Sequence, residues 1–229
     1  MKRILVICSL IIISISHLFG GDTARFVNLG FSGDGSYFMF AQHGFSPETG
    51  TVYSDLFIVD VKRNIFTTGG VHHGEYETII EPGQSSDGAL FSLLEETVNH
   101  RKRYAISYLE KGRPLYIRIP TSEEEDNNNS LEFRDFQTEM KYNIDLAQNV
   151  SGEGSEKLST FYIDLSIEYK NGVKKDLKVG HPDFIRKGIV EYNINRILLS
   201  PEEDSLIFII SKTDVDLNIR YMIETINIK

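Results

Sequence analysis

One phrase occurs three times in this 229-residue chain. It reads Leu29-Gly30-Phe31-Ser32-Gly33-Asp34-Gly35-Ser36-Tyr37-Phe38, then Gln84-Ser85-Ser86-Asp87-Gly88-Ala89-Leu90-Phe91, then Leu199-Ser200-Pro201-Glu202-Glu203-Asp204-Ser205-Leu206-Ile207-Phe208. Each copy joins a serine-centred turn, an acidic residue and an apolar run. Serine and aspartate side chains hydrogen-bond nearby backbone in turns, and glycine adopts the positive φ that tight turns require. A recurring turn followed by an apolar run predicts repeated β-units. Ser32 and Ser85 are 53 residues apart, and Ser85 and Ser200 are 115 apart. The second interval is about twice the first, which predicts a degenerate copy between them.

The remainder reads as nearly all β. Tyr37, Phe38 and Phe40 follow the first turn, and Leu56-Phe57-Ile58-Val59 lies between Asp55 and Asp60, as a strand buried on both faces would. Residues 65–68 predict a strand closed by Gly69-Gly70, residues 89–94 a strand after the second turn, and residues 103–109 the next. Residues 115–119 and 131–146 also carry strand character. Phe161, Ile163, Leu165, Ile167 and Tyr169 alternate with Tyr162, Asp164, Ser166 and Glu168, a period of two that separates a core face from a wet one. Asn171-Gly172 then supplies a tight hairpin turn. Residues 206–210 and 218–228 predict the closing strands. Residues 183–188 suggest one helical turn capped by Asp183. Residues 121–130, with Glu123-Glu124-Glu125-Asp126 and three asparagines, and residues 148–157 read as loops.

The chain's start bounds its destination. Lys2 and Arg3 precede a twelve-residue apolar run, residues 4–15, and Gly20-Gly21 offers a cleavage point. A spanning helix needs ~20 residues, so this run fits a signal peptide over residues 1–20, with retention as an N-terminal anchor the alternative. The single cysteine, Cys8, lies inside that run. The mature chain then holds no disulfide, thiol nucleophile or cysteine-ligated zinc. Loss of Lys2 and Arg3 takes the net charge from −9 to −11, which argues against nucleic acid or an anionic membrane surface as the partner. No later apolar run is long enough to span a bilayer. The expected organisation is therefore a signal peptide helix followed by one all-β domain over residues 21–229. That domain is built of blade-like antiparallel meanders, either a partial or small propeller-like array or a two-sheet sandwich.

The stretch Phe31-Ser32-Gly33-Asp34-Gly35-Ser36-Tyr37-Phe38, followed by Asp55-Leu56-Phe57-Ile58-Val59-Asp60, resembles a blade of the Tol-system periplasmic β-propeller. The chain is also similar to a bacterial family of predicted secreted proteins without assigned function. The similarity rests on the phrase from Gly30 to Phe40, the Asp55-to-Val61 strand and the Leu199-Ser200-Pro201-Glu202-Glu203-Asp204 turn. This resemblance implies an exported, periplasmic or secreted location and the fold class. It implies no catalytic residues.

Candidate chemistry is sparse. Gly30-Phe31-Ser32-Gly33-Asp34 departs from a nucleophile elbow, which has glycine where Asp34 stands and a helix rather than a strand after it. His72-His73-Gly74-Glu75 offers metal-ligand side chains, with His43 or His181 as a distant third ligand. Neighbours on a strand point to opposite faces, so His72 and His73 could ligate together only from a loop. The bland reading is a polar loop between units. Asp214-Val215-Asp216-Leu217-Asn218 copies the first calcium-loop positions, but Ile219 replaces the glycine and Thr225 the final glutamate, so an acidic turn is expected. Tyr37, Phe38 and Phe40 are expected as core rather than as a ligand site.

No coherent catalytic set emerges and no cofactor is expected. The favoured reading is a non-enzymatic exported protein that presents loops, at residues 43–51, 70–75 and 121–130, to another envelope or extracellular protein. The alternative is a metal-assisted periplasmic hydrolase centred on His72, His73 and Glu75.

Overall fold

The computed structural model describes residues 21–46, 49–81, 83–119 and 129–229; the signal-peptide expectation for residues 1–20 lies outside them. Four strands form a first antiparallel meander: β1 (Arg25–Phe31), β2 (Tyr37–Ser46), β3 (Thr51–Asp60) and β4 (Ile65–Tyr76). Two helices come next, α1 (Asp87–Glu96) and α2 (Val98–Arg103). β5 (Arg113–Ile117) crosses to a second sheet, where it borders β11 (Ile189–Leu199). β12 (Ser205–Asp214) and β13 (Ile219–Asn227) complete that sheet in the order β13-β12-β11-β5. Between β5 and β11 the chain builds a third sheet from β6 (Ser130–Arg134), β7 (Lys141–Ser151), β8 (Leu158–Glu168), β9 (Lys174–Val179) and β10 (Arg186–Lys187).

The sheets stack face to face. Sheet neighbours such as Ile207 and Phe208 point to opposite faces, and both are fully buried. Ile207, Ile209 and Ile223 meet Phe31, Phe38, Phe40 and Val59 of the first sheet. Phe208, Ile210 and Tyr192 meet Tyr142, Ile144, Phe161, Ile163 and Leu165 of the third. The sheet of β11–β13 is therefore the central layer, which is why β12 carries a continuous apolar run from Leu206 to Ile210. The helices cover the other face of the first sheet, where Leu90, Leu93 and Ile106 pack on Met39, Ala41, Leu56 and Ile58. The architecture is all-β and sandwich-like, with three sheets rather than two. No buried apolar cluster among the described residues joins the first sheet to the third, so the stack stays open rather than closing as a ring.

Two copies of the repeated phrase are the same turn. Ser32 N–H donates to the Tyr37 carbonyl while Tyr37 N–H donates to Ser32 Oγ at 2.9 Å. Ser200 does the same with Ser205, at 3.1 Å to its Oγ. Both serines are buried, and Asp34 and Asp204 accept their hydroxyls. The fourth turn residue has positive φ in each, 68° at Gly35 and 52° at Glu203. The degenerate copy between Ser85 and Ser200 is the β6–β7 turn, where Asp135 N–H donates to the Met140 carbonyl across the same five-residue span. Asp135 replaces the serine and accepts from Gln137 N–H and Thr138 Oγ1.

The Ser85 copy is different. Residues 89–94, expected as a strand, lie in α1, and the expected strand over 103–109 is the end of α2 and an irregular segment with one bridge, Ile106 to Ser32. Ala89, Leu90 and Leu93 are spaced for one helical face, and that period overrides the borrowed turn phrase. Residues 183–188 form a turn leading into β10 rather than a helical turn. Residues 70–75, expected as a loop, continue β4, and β7 extends into the expected loop at 148–157. The alternation over residues 161–169 and the Asn171-Gly172 turn are as expected, with Gly172 at φ 78° joining β8 to β9.

Candidate functional site

Strand β13 is an edge of the central sheet. Tyr221 and Ile223 face the first sheet, and Met222 and Glu224 face the third, because side chains alternate along a strand. The first sheet and the β9–β10 connector rise on either side, leaving a groove of about 530 Å³ along this edge. Phe40, Phe57 and Phe66 line one wall; Phe184 stands on the other. Phe57 stacks between Phe40 and Phe66 with centroids 4.8 and 5.4 Å away. Ile65, Phe66 and Phe184 remain 42%, 49% and 58% exposed. Large apolar side chains left in water around a concavity mark an interaction site.

The edge itself is guarded. Tyr221 N–H donates to Gln42 Oε1 at 2.7 Å, and Thr225 N–H donates to Asn64 Oδ1 at 2.8 Å. An unguarded edge invites strand addition. Here two outward N–H groups are already occupied by side chains of the first sheet, so the groove is suited to receive side chains rather than a further strand.

Its polar groups converge from several elements. Glu224 is 3% exposed and accepts from Asn64 Nδ2. His181 Nδ1 and Arg186 lie 3.8 and 3.7 Å from its carboxylate. Burial pushes the Glu224 carboxyl above its usual range, and these neighbours only partly oppose it. The Arg186 guanidinium is held among the rings of Phe161, Phe184 and Tyr192, at 4.7, 4.7 and 5.9 Å. Lys212, on β12 opposite Arg220 of β13, also lines the groove. Burial, then the like charges of Arg186 and Arg220, lowers its ammonium pKa.

None of these polar groups was singled out in the sequence except His181. The available signal was Glu224, a lone carboxylate between Ile223 and Thr225 in a strand with apolar residues on both faces. Phe40, expected as core, is fully buried and yet forms part of the groove wall.

The residues considered for metal are divided by the pleat. His72 and His73 are neighbours on β4 and point to opposite faces of the first sheet. His72 packs edge-on against His100 of α2, with centroids 4.4 Å apart. His73 Nδ1 lies 2.6 Å from Asp55 Oδ1. Glu75, on the His73 side, accepts from Thr49 and Thr51. His181 belongs to the groove, away from that cluster. His43 is buried, its Nδ1 2.8 Å from Ser86 Oγ and its Nε2 3.2 Å from Asp87, so it pins the start of α1 to β2. No group of three or more His, Cys, Asp or Glu side chains among the described residues is arranged to hold a metal ion. Asp214 makes the expected acidic turn, accepting from Asp216 and Asn218 N–H at 2.9 Å each.

Of the surface segments considered for partner binding, residues 43–46 and 49–51 belong to the β2–β3 hairpin. Residues 121–128 lie outside the described residues. No described helix is long and apolar enough to cross a membrane. Compared with known families, residues 39–227 match the model described as "Predicted secreted protein (DUF2259)". No curated protein matches the chain.

Proposed function

The chain belongs to this family of predicted secreted proteins, and we propose that it acts outside the cytoplasm by binding rather than by catalysis, engaging another envelope or extracellular protein through the β13 groove. The observation that carries the reading is the groove itself. It is the place where exposed aromatic side chains, a concavity of ligand size and convergent buried polar groups coincide. The three packed sheets behind it support a preformed surface, which lowers the ordering cost of association.

A photo-crosslinking residue placed at Phe66, compared with one at Val150 on the third sheet, tests this in cells that export the protein. The expected result is one recurrent adduct from position 66, absent from position 150 and lost when Phe184→Asp is added. Indistinguishable adducts from the two positions would remove the groove from the function.

A further inference from the structure

The groove contains a charge that the fold leaves incomplete. Lys212 Nζ makes no hydrogen bond and no ion pair within 4 Å to any described residue, although burial dominates its environment. Asp55 and Asp214 are near enough to favour its charged form, but neither closes on it. Asp55 is engaged instead by Gln42 and His73, and Asp214 by the backbone of its own turn. Lys212 is half-buried and its Nζ still reaches water, so an occupant that closes over the groove must supply the ammonium with a partner. Lys212 also has cationic neighbours: Arg186 and Arg220 both oppose its charge. Arg220 is committed to Asp22 at 2.9 Å. Arg186 lies 3.7 Å from the Glu224 carboxylate, which His181 and Asn64 also face. The groove of this acidic chain therefore has a cationic end beside an aromatic wall.

Resting on the binding role assigned to the groove above, we infer that the partner segment seated there carries an aromatic or large aliphatic side chain followed closely by a carboxylate. The apolar group packs among Phe57, Phe66 and Phe184, and the carboxylate completes Lys212 with Arg186 beside it. Charge complementarity selects this occupant over a cationic one, which would be repelled by Lys212, Arg186 and Arg220 together. It also selects it over a neutral apolar one, which would seal the ammonium from water without pairing it. The guarded edge disfavours an added strand, so recognition falls on these two side chains.

The test uses the mature protein and two blocked tetrapeptides, Gly-Phe-Glu-Gly and Gly-Phe-Gln-Gly, with binding followed by NMR shift changes. The carboxylate peptide should bind at least tenfold more tightly than its amide counterpart. Lys212→Met should abolish that preference, Lys212→Arg should retain it, and Phe66→Asp should remove both interactions. Equal binding of the two peptides, or a preference that survives Lys212→Met, overturns the inference. So does binding of dodecanoate with neither peptide bound, which would assign the same chemistry to a lipid. A position-66 adduct that persists in Lys212→Met, with the two peptides binding equally, would leave the binding role standing while the carboxylate fails, so the two ideas fail separately.

Discussion

Glu224 shows how one side chain couples the groove to pH. Its carboxyl is held above the usual range chiefly by burial, so the folded state favours the protonated form. The associated stability is fully present below the carboxyl's unfolded pKa and is lost as pH rises through the raised folded value. Asn64, His181 and Arg186 face the same carboxylate and limit that loss. Glu224→Gln keeps an acceptor for Asn64 and removes the titration. Urea midpoints taken from pH 4 to pH 8 should therefore decline for the native protein relative to Glu224→Gln as pH rises. A constant difference between the two would show that the carboxyl is not perturbed by folding. Legibility at this scale was partial. Glu224 was not singled out in the sequence, although it is a charge in a strand with apolar residues on both faces; its partners come from residues 64, 181 and 186, and no local pattern links them.

At the scale of the element, the repeated phrase separates turn chemistry from context. Ser32 and Ser200 each accept the N–H five residues on, inside a buried turn that opens onto a core strand. Removing a buried acceptor leaves that donor unpaired, at ~1–3 kcal/mol. Ser32→Ala and Ser200→Ala should each lower unfolding stability by about that amount in chemical denaturation. Ser85→Ala, at the exposed approach to α1, should change it by less than ~0.5 kcal/mol. A Ser85 effect as large as the other two would mean that all three copies do the same work. The phrase was legible as a turn at Ser32 and Ser200, whereas at Ser85 it leads directly into α1. Whether a strand or a helix succeeds the turn depends on the period of the next residues. Tyr37 to Phe40 and Leu206 to Ile209 enter the doubly buried layers, whereas Ala89, Leu90 and Leu93 need only one face.

Across the whole molecule, the central sheet is shared by two cores. Ile207 and Ile209 serve the interface with the first sheet, and Phe208 and Ile210 serve the interface with the third. A strand with both faces committed cannot lose one neighbour without exposing apolar surface that the other cannot cover. The chain should therefore unfold as one unit, with near- and far-ultraviolet dichroism giving the same midpoint. Phe208→Ala, which removes a fully buried ring, should lower that single transition by ~3–5 kcal/mol. Two separated transitions would divide residues 21–229 into independent units and contradict the single domain expected from the sequence.

The sequence alone determined the all-β class, the alternation of residues 161–169, the Asn171-Gly172 turn and the turn shared by Ser32 and Ser200. Each depends on side-chain period or on hydrogen bonds within a few residues, and those forces act wherever the segment finally lies. Only the tertiary structure decided that three sheets stack, that β5 joins β11 across the whole third sheet, and that β13 is an edge with a groove beside it. A doubly buried strand carries the same apolar run whichever sheets enclose it. Which faces meet, and where a polar side chain is stranded between them, is set by contacts between residues more than a hundred positions apart, such as Gln42 with Tyr221 and Asn64 with Thr225.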